Sequence, residues 1–140
     1  MSQLAWEERY QTGIEEIDAQ HKALFDLVVS LGEALRSRPG AIQLEGLVPK
    51  LESYARNHLS HEEALFAQYD YPRAKEHIEA HDKLRGDIVH FRDMLKNDRL
   101  TALALFNYME LWLYNHVMKM DMDYKTYLIS LGVINDTFHA

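Results

Sequence analysis

Residues 58–81, HLSHEEALFAQYDYPRAKEHIEAH, decide how this chain is built. His58 and Glu62 stand four residues apart, as do His77 and His81, and Tyr71-Pro72 interrupts the run between them. Residues i and i+4 of a helix lie one above the other on the same face. Each pair can therefore present two metal-binding side chains to one point. A turn centred on the proline folds the second helix back along the first. At about 1.5 Å of rise per residue, the two pairs overlap in height on either side of that turn.

Working outward, the helix holding His58 is expected from about Leu44 to Tyr69, with an apolar seam of Leu44, Leu47, Leu51, Tyr54 and Leu65 that His58 and Glu62 interrupt. Pro49 removes a backbone donor, so either the helix tolerates that loss or it begins near Val48 after a separate turn. The helix holding His77 and His81 runs from about Arg73 to Asn97, with Ala74, Leu84, Ile88, Phe91 and Leu95 on the same face. Before these comes an arm, residues 1–17, with Trp6, Tyr10, Ile14 and Ile17 available to pack and Gly13 as a bend. Asp18 then reads as the N-cap of a helix reaching about Arg38, where Pro39-Gly40 ends it. The seam of that helix is Ile17, Leu24, Val28, Leu31 and Leu35, and His21 falls where a further apolar residue is expected. A fourth helix from about Leu100 carries Leu103, Phe106, Met109, Leu113 and His116. A short helix over Asp123 to Leu131 and a polar tail ending in His139 and Ala140 complete the chain. Short connections and steps of three and four predict an all-α, up-down-up-down four-helix bundle, one domain over residues 1–140.

Composition narrows the function. A net charge of −7 without a basic patch argues against nucleic acid. The absence of cysteine excludes disulfides, iron–sulfur clusters and thiolate zinc sites. The N-terminus lacks the basic start and apolar run of a signal peptide, and no run nears ~18 apolar residues, so no membrane span and a cytoplasmic location are expected. No exposed apolar helix face stands out, and a monomer is expected.

Every seam is broken only by His, Glu or Asp. Burying an unpaired imidazole or carboxylate is costly, and in an up-down-up-down bundle all these interruptions fall toward one end. His61 is off the seam and reads as a rim residue. His90 is half a turn out of phase and faces solvent, and Glu63 is off-seam and solvated. The remaining donors, imidazole and carboxylate without thiolate, suit iron and less specifically zinc, manganese or copper. They are too many for one ion and suit two. If the carboxylates bridge, one coordination position stays open for a small ligand. Oxygen-activating sites of ferritin-like bundles are richer in carboxylates. A set dominated by neutral imidazoles favours holding dioxygen over splitting it.

The chain resembles the hemerythrins, in particular the single-domain hemerythrins of bacteria. The resemblance rests on an isolated His, then HxxxE, HxxxH and HxxxxD. These stand here as His21 in IDAQH, His58 and Glu62 in HLSHEE, His77 and His81 in HIEAH, and His116 and Asp121 in HVMKMD. Trp6, the Tyr69–Pro72 turn and Trp112-Leu113 match as well, and the likeness spans residues 5 to about 131. It implies two iron ions bridged by oxo or hydroxo. His77, His81 and His116 would hold one, His21 and His58 the other, and Glu62 and Asp121 both. Dioxygen would bind reversibly on the two-histidine iron and be held as a hydroperoxide, with Leu24, Leu59 and Leu113 as the apolar wall of its pocket. The implied role is an oxygen carrier, store or delivery protein, with an oxygen-consuming enzyme as its expected partner, and not itself an enzyme. A di-iron peroxidase, oxidase or nitric oxide reductase, or an oxygen or iron sensor, is the alternative on the same site.

One spacing resists this picture. Five residues turn an ideal α-helix about 500°, which leaves Asp121 some 140° away from His116. Either the helix is distorted there, as by a π-bulge, or it ends before Asp121. Asp123 returns to the same face but lies about 10 Å further along the axis. The family pattern selects Asp121; spacing does not.

Overall fold

The turn at residues 69–73 is where the chain reverses, and its backbone shows why. In the computed structural model, which describes residues 6–134, Asp70 takes the left-handed conformation (φ 49°) and the Tyr71 amide donates to the Phe66 carbonyl at 3.0 Å. This is the Schellman closure, which satisfies carbonyls that a helix end leaves open. The Tyr127 hydroxyl donates to the Tyr69 carbonyl at 2.7 Å and fixes the turn from outside. Helix α2 (Leu44–Gln68) enters this turn and α3 (Ala74–Lys96) leaves it. Before them lies α1 (Glu15–Ser37); after them come α4 (Ala102–Trp112), a π-helical stretch (Leu113–Met120) and α5 (Asp121–Ser130). Helix α3 closes in the same manner as α2, with Asp98 left-handed (φ 54°) and the Arg99 amide on the Met94 carbonyl at 2.8 Å.

The up-down-up-down bundle is present: α2 packs along α3, and α1 along both α2 and α4. The Phe91 and Tyr108 rings, edge to face at 4.8 Å, and the Tyr108 hydroxyl on the Asp87 carboxylate tie α3 to α4. Gly32 lets α1 approach α4 closely, since a Cβ there would stand 2.8 Å from the Phe106 ring. No helix among the described residues is long and apolar enough to cross a membrane.

Two local expectations are corrected, for Asp18 and Leu103, and the choice left open at Pro49 is resolved. Asp18 lies inside α1, not at its cap: Ile14 is the cap residue, and the Asp18 carboxylate reaches back to accept from the Thr12 hydroxyl at 2.9 Å and the Gly13 amide at 3.1 Å. It thereby holds the arm at the bend, where Gly13 is indeed left-handed (φ 91°). The second helix starts at Leu44, and Pro49 sits within it at the cost of one backbone hydrogen bond. Leu103 is not on the α4 seam but 57% exposed; Leu105 and Met109 are buried instead. Two successive steps of three, 103 to 106 to 109, rotate a stripe by about 120°, whereas the steps of four from 105 to 109 to 113 drift by only about 80°. Leu103, Leu111 and Tyr114 accordingly form an exposed apolar side of α4 and the π stretch, which the sequence reading did not anticipate. The tail with His139 and Ala140, and the first five residues of the arm, lie outside the described residues.

From one end of the bundle to the other the side chains fall in one order. A long apolar core comes first, with Leu24 and Val28 on α1, Leu51, Ala55 and Leu59 on α2, Leu84 and Ile88 on α3, and Leu105, Met109 and Leu113 on α4 and its extension. At the other end is a smaller aromatic cluster of Phe66, Tyr71, Tyr124 and Leu128. Between them, buried at the same level, lie His21, His58, Glu62, His77, His81, His116 and Asp121. The polar layer is sandwiched, not peripheral.

Candidate metal centre

Five of the seven donors reach this layer from α-helical positions, and the π-helical stretch places the other two, His116 and Asp121. His58 and Glu62 share a face of α2, and His77 and His81 share a face of α3, as four-residue spacing requires. His21 comes from the first turns of α1. Asp121 arrives by distortion: across the π-helical stretch its amide donates to the His116 carbonyl, five residues back. That bond stacks residue i+5 over residue i, so His116 and Asp121 share a face that an α-helix would deny them. Of the two routes open from the sequence, the π-helix is the one taken. Asp123 is exposed and pairs with Arg73 at 3.1 Å, away from the cluster.

The seven side chains form two overlapping groups, Glu62 with His77, His81 and His116, and Glu62 with His21, His58 and Asp121, and all are buried. Within the first group the His116 Nε2 lies 3.0 Å from that of His77 and 3.1 Å from that of His81. In the second, the Nε2 atoms of His21 and His58 are 3.0 Å apart. Nitrogens each about 2.1 Å from a common metal and at right angles stand about 3.0 Å apart. The carboxylates span both groups. Asp121 Oδ1 is 2.8 Å from His77 Nε2 while Oδ2 is 3.0 Å from His21 Nε2. Glu62 Oε1 is 3.1 Å from His81 Nε2 and Oε2 is 3.5 Å from His21 Nε2. Despite these approaches, none of the four carboxylate oxygens has a hydrogen-bond partner in line with it. Buried carboxylates are otherwise almost always bonded. Orphaned carboxylate oxygens facing clustered imidazole nitrogens fit cations, and two of them.

The outer nitrogens set the tautomers. His58 Nδ1 lies 2.7 Å from the Gln20 Oε1, and His81 Nδ1 lies 2.7 Å from the Glu63 Oε2. Both partners accept, so each Nδ1 carries the proton and each Nε2 turns its lone pair inward, as a metal ligand must. Arg85 holds Glu63 from the other side at 2.9 Å. Glu63, expected to be solvated, is thus a half-buried brace for a donor imidazole, and Gln20 was not singled out at all. Their signals were present but faint: Glu63 adjoins Glu62, and Gln20 adjoins His21. His61 does sit at the rim, 3.1 Å from the Glu16 carboxylate, and His90 is exposed.

Aromatic rings fix the imidazole planes. Trp112 stacks on His116 with centroids 4.4 Å apart, and Phe66 packs against His77 at 4.5 Å. Tyr54 stacks on His58 at 5.2 Å. Burial, together with the Glu62 and Asp121 carboxylates, raises the Tyr54 phenol well above its usual 10, so it stays protonated. Leu24, Leu59 and Leu113 are all fully buried in the long core, one turn or less from His21, His58 and His116 in sequence.

The electrostatics of the metal-free cluster show what a cation would replace. Burial lowers the His21 imidazole, but the Asp121 and Glu62 carboxylates more than reverse this and push it up to about 10. Burial takes His58 down to about 4. Burial and Glu62 raise the Asp121 carboxyl, and the His116, His21 and His77 rings overcome both and hold it near 2. A proton shared onto His21 therefore neutralises part of the carboxylate charge. Metal binding would release it.

Comparison with known proteins gives the same family from outside. The hemerythrin HHE cation binding domain model matches residues 12–128. A bacteriohemerythrin of Pseudomonas aeruginosa is 26% identical over 124 residues, covering 89% of this chain and 80% of its own. A hemerythrin-like protein of Naegleria gruberi is 30% identical over 120 residues, covering 86% and 89%. A hemerythrin-like protein of Nematostella vectensis is 29% identical over 130 residues, covering 89% and 75%.

Proposed function

The chain belongs to the hemerythrin HHE cation-binding family, and on that premise we propose that it is a non-haem di-iron protein that binds dioxygen reversibly, as a carrier, store or delivery protein. The observation that supports this most is the division of the buried donors into a three-imidazole and a two-imidazole group that share carboxylates. Two iron ions bound there would supply the electrons and the one open coordination position that reversible oxygen binding needs.

The chain's own residues do the rest. Glu62 and Asp121, whose oxygens face both imidazole groups, would hold both ions. Gln20 and Glu63 fix the His58 and His81 rings with their lone pairs inward. Leu24, Leu59 and Leu113 would keep water from the two-histidine side, the side proposed to take the ligand. A dry pocket slows loss of bound oxygen as a charged product, and a donor set with few carboxylates gives little support to higher iron oxidation states. Both favour a carrier over an enzyme. Oxygen released from it would go to an oxygen-consuming enzyme, and we expect the protein to act as a monomer. Sedimentation velocity tests the last point, with the exposed Leu103, Leu111 and Tyr114 side of α4 as the face that would pair in a dimer.

The experiment is anaerobic reconstitution with ferrous iron, an iron count, and visible spectra through cycles of air and degassing. Two irons per chain with a charge-transfer band that appears in air and fades on degassing would support the carrier. Two irons with irreversible conversion to a ferric form, together with rapid turnover of hydrogen peroxide or nitric oxide, would replace it with an enzyme.

A further inference from the structure

Tyr54 lies one helical turn before His58 on α2, its ring stacked on the imidazole with planes within 23°. The residue as a whole is only half-buried, yet its hydroxyl is sealed from solvent and has no hydrogen-bond partner. The phenol therefore runs inward from the helix surface along the face of a donor ring. It packs against the same apolar core that holds Leu24, Leu59 and Leu113. A buried donor without an acceptor is destabilising, and in native proteins such a group calls for a specific reason. Nothing among the described residues accepts from it. Phe would fill the same space and stack as well, so packing alone does not account for the hydroxyl.

Resting on the di-iron reading above, we infer that Tyr54 contacts the exogenous ligand: its hydroxyl donates a hydrogen bond to a small anion held on the His21/His58 side of the cluster. The chemistry sets the ligand class. A single O–H donor in an apolar wall stabilises a ligand with negative charge at its free end, such as azide. It does little for a neutral one such as carbon monoxide. Tyr54 would thus be a specificity residue, and the Leu24, Leu59 and Leu113 wall would carry one polar point.

The test is Tyr54→Phe in the iron-loaded protein, which keeps the ring and its stacking. Iron content, melting temperature, azide affinity and the vibrational frequency of bound azide are measured in H2O and D2O. The inference predicts unchanged iron content and, without azide, a melting temperature unchanged or slightly raised, because an unpartnered buried donor is removed. It predicts azide binding weakened about ten-fold, the size of one hydrogen bond to a charged acceptor. It also predicts a deuterium shift of the bound azide in the native protein that vanishes in Tyr54→Phe. Equal affinity and equal isotope behaviour in the two proteins would overturn it while leaving the di-iron reading intact. A native protein that takes up two irons but shows no azide charge-transfer band would overturn it as well, and one that takes up no iron would overturn both readings.

Discussion

The two halves of the buried cluster are built from the same side chains and braced differently. On the three-histidine side, His81 donates its outer N–H to a carboxylate, Glu63, which Arg85 holds in place. On the two-histidine side, His58 donates to the neutral amide of Gln20. A carboxylate behind an imidazole makes it a more basic ligand and fixes it more firmly than an amide does. The rings behind them differ as well: Trp112 and Phe66 back the three-histidine side, and Tyr54, with a polar end, backs the other. The lesson is a division of labour. On the proposed function, the first half would retain its ion, and the second would give up some ligand strength on the side proposed to take an exogenous molecule.

The largest effect should come from removing a donor of the stronger half. His77→Ala or His81→Ala should drop iron content to one per chain or fewer and lower the melting temperature of the loaded protein by about 10 °C, because binding to the folded state is lost. Iron analysis and calorimetry check this, and unchanged stability would mean a metal-free structural bundle. Next come the braces. Glu63→Gln should weaken the three-histidine ion by about 10- to 100-fold, the usual cost of losing such a partner, and more than Gln20→Ala weakens the other. The exchange Gln20→Glu with Glu63→Gln should reverse which ion leaves first in a chelator titration.

A smaller effect concerns pH in the metal-free protein. His21 has a folded pKa of about 10 against an ordinary 6.5, so its contribution is fully present below 6.5 and is lost as pH rises through 10. The metal-free melting temperature should therefore fall by on the order of 5 °C between neutral and strongly alkaline pH. The loaded protein should change less, since cations have replaced that proton. The smallest effect is the sharpest control. Asp123→Asn should leave iron content unchanged and stability within about 0.5 kcal/mol, because Asp123 only pairs with Arg73 at the surface. Asp121→Asn should lose iron.

The sequence was most legible where chemistry and helical period coincide. His58 with Glu62, and His77 with His81, announce themselves because i, i+4 spacing is itself the geometry of a shared face. His21 shows as a polar residue in an apolar seam, and the four helices follow from the seams alone. Asp121 was not legible from period, since a π-helix shows only after the backbone has chosen i+5 bonds; it needed the family pattern. Glu63 and Gln20 were missed for a different reason. Each lies off its own helix's seam and reaches a histidine on a neighbouring helix, so its role depends on how the helices are set side by side. Leu103 was misplaced for a plainer reason: two successive steps of three, 103 to 106 to 109, carried the stripe out of phase within a regular helix. Asp18 was read as a cap because a carboxylate before an apolar run is the common signal, but here it serves the arm and not the helix.

The unequal halves are tested most directly by Mössbauer spectroscopy of protein loaded with isotopically enriched iron, before and after azide. Two quadrupole doublets of equal area are expected, of which azide shifts only one. A single doublet, or two that shift together, would contradict the account.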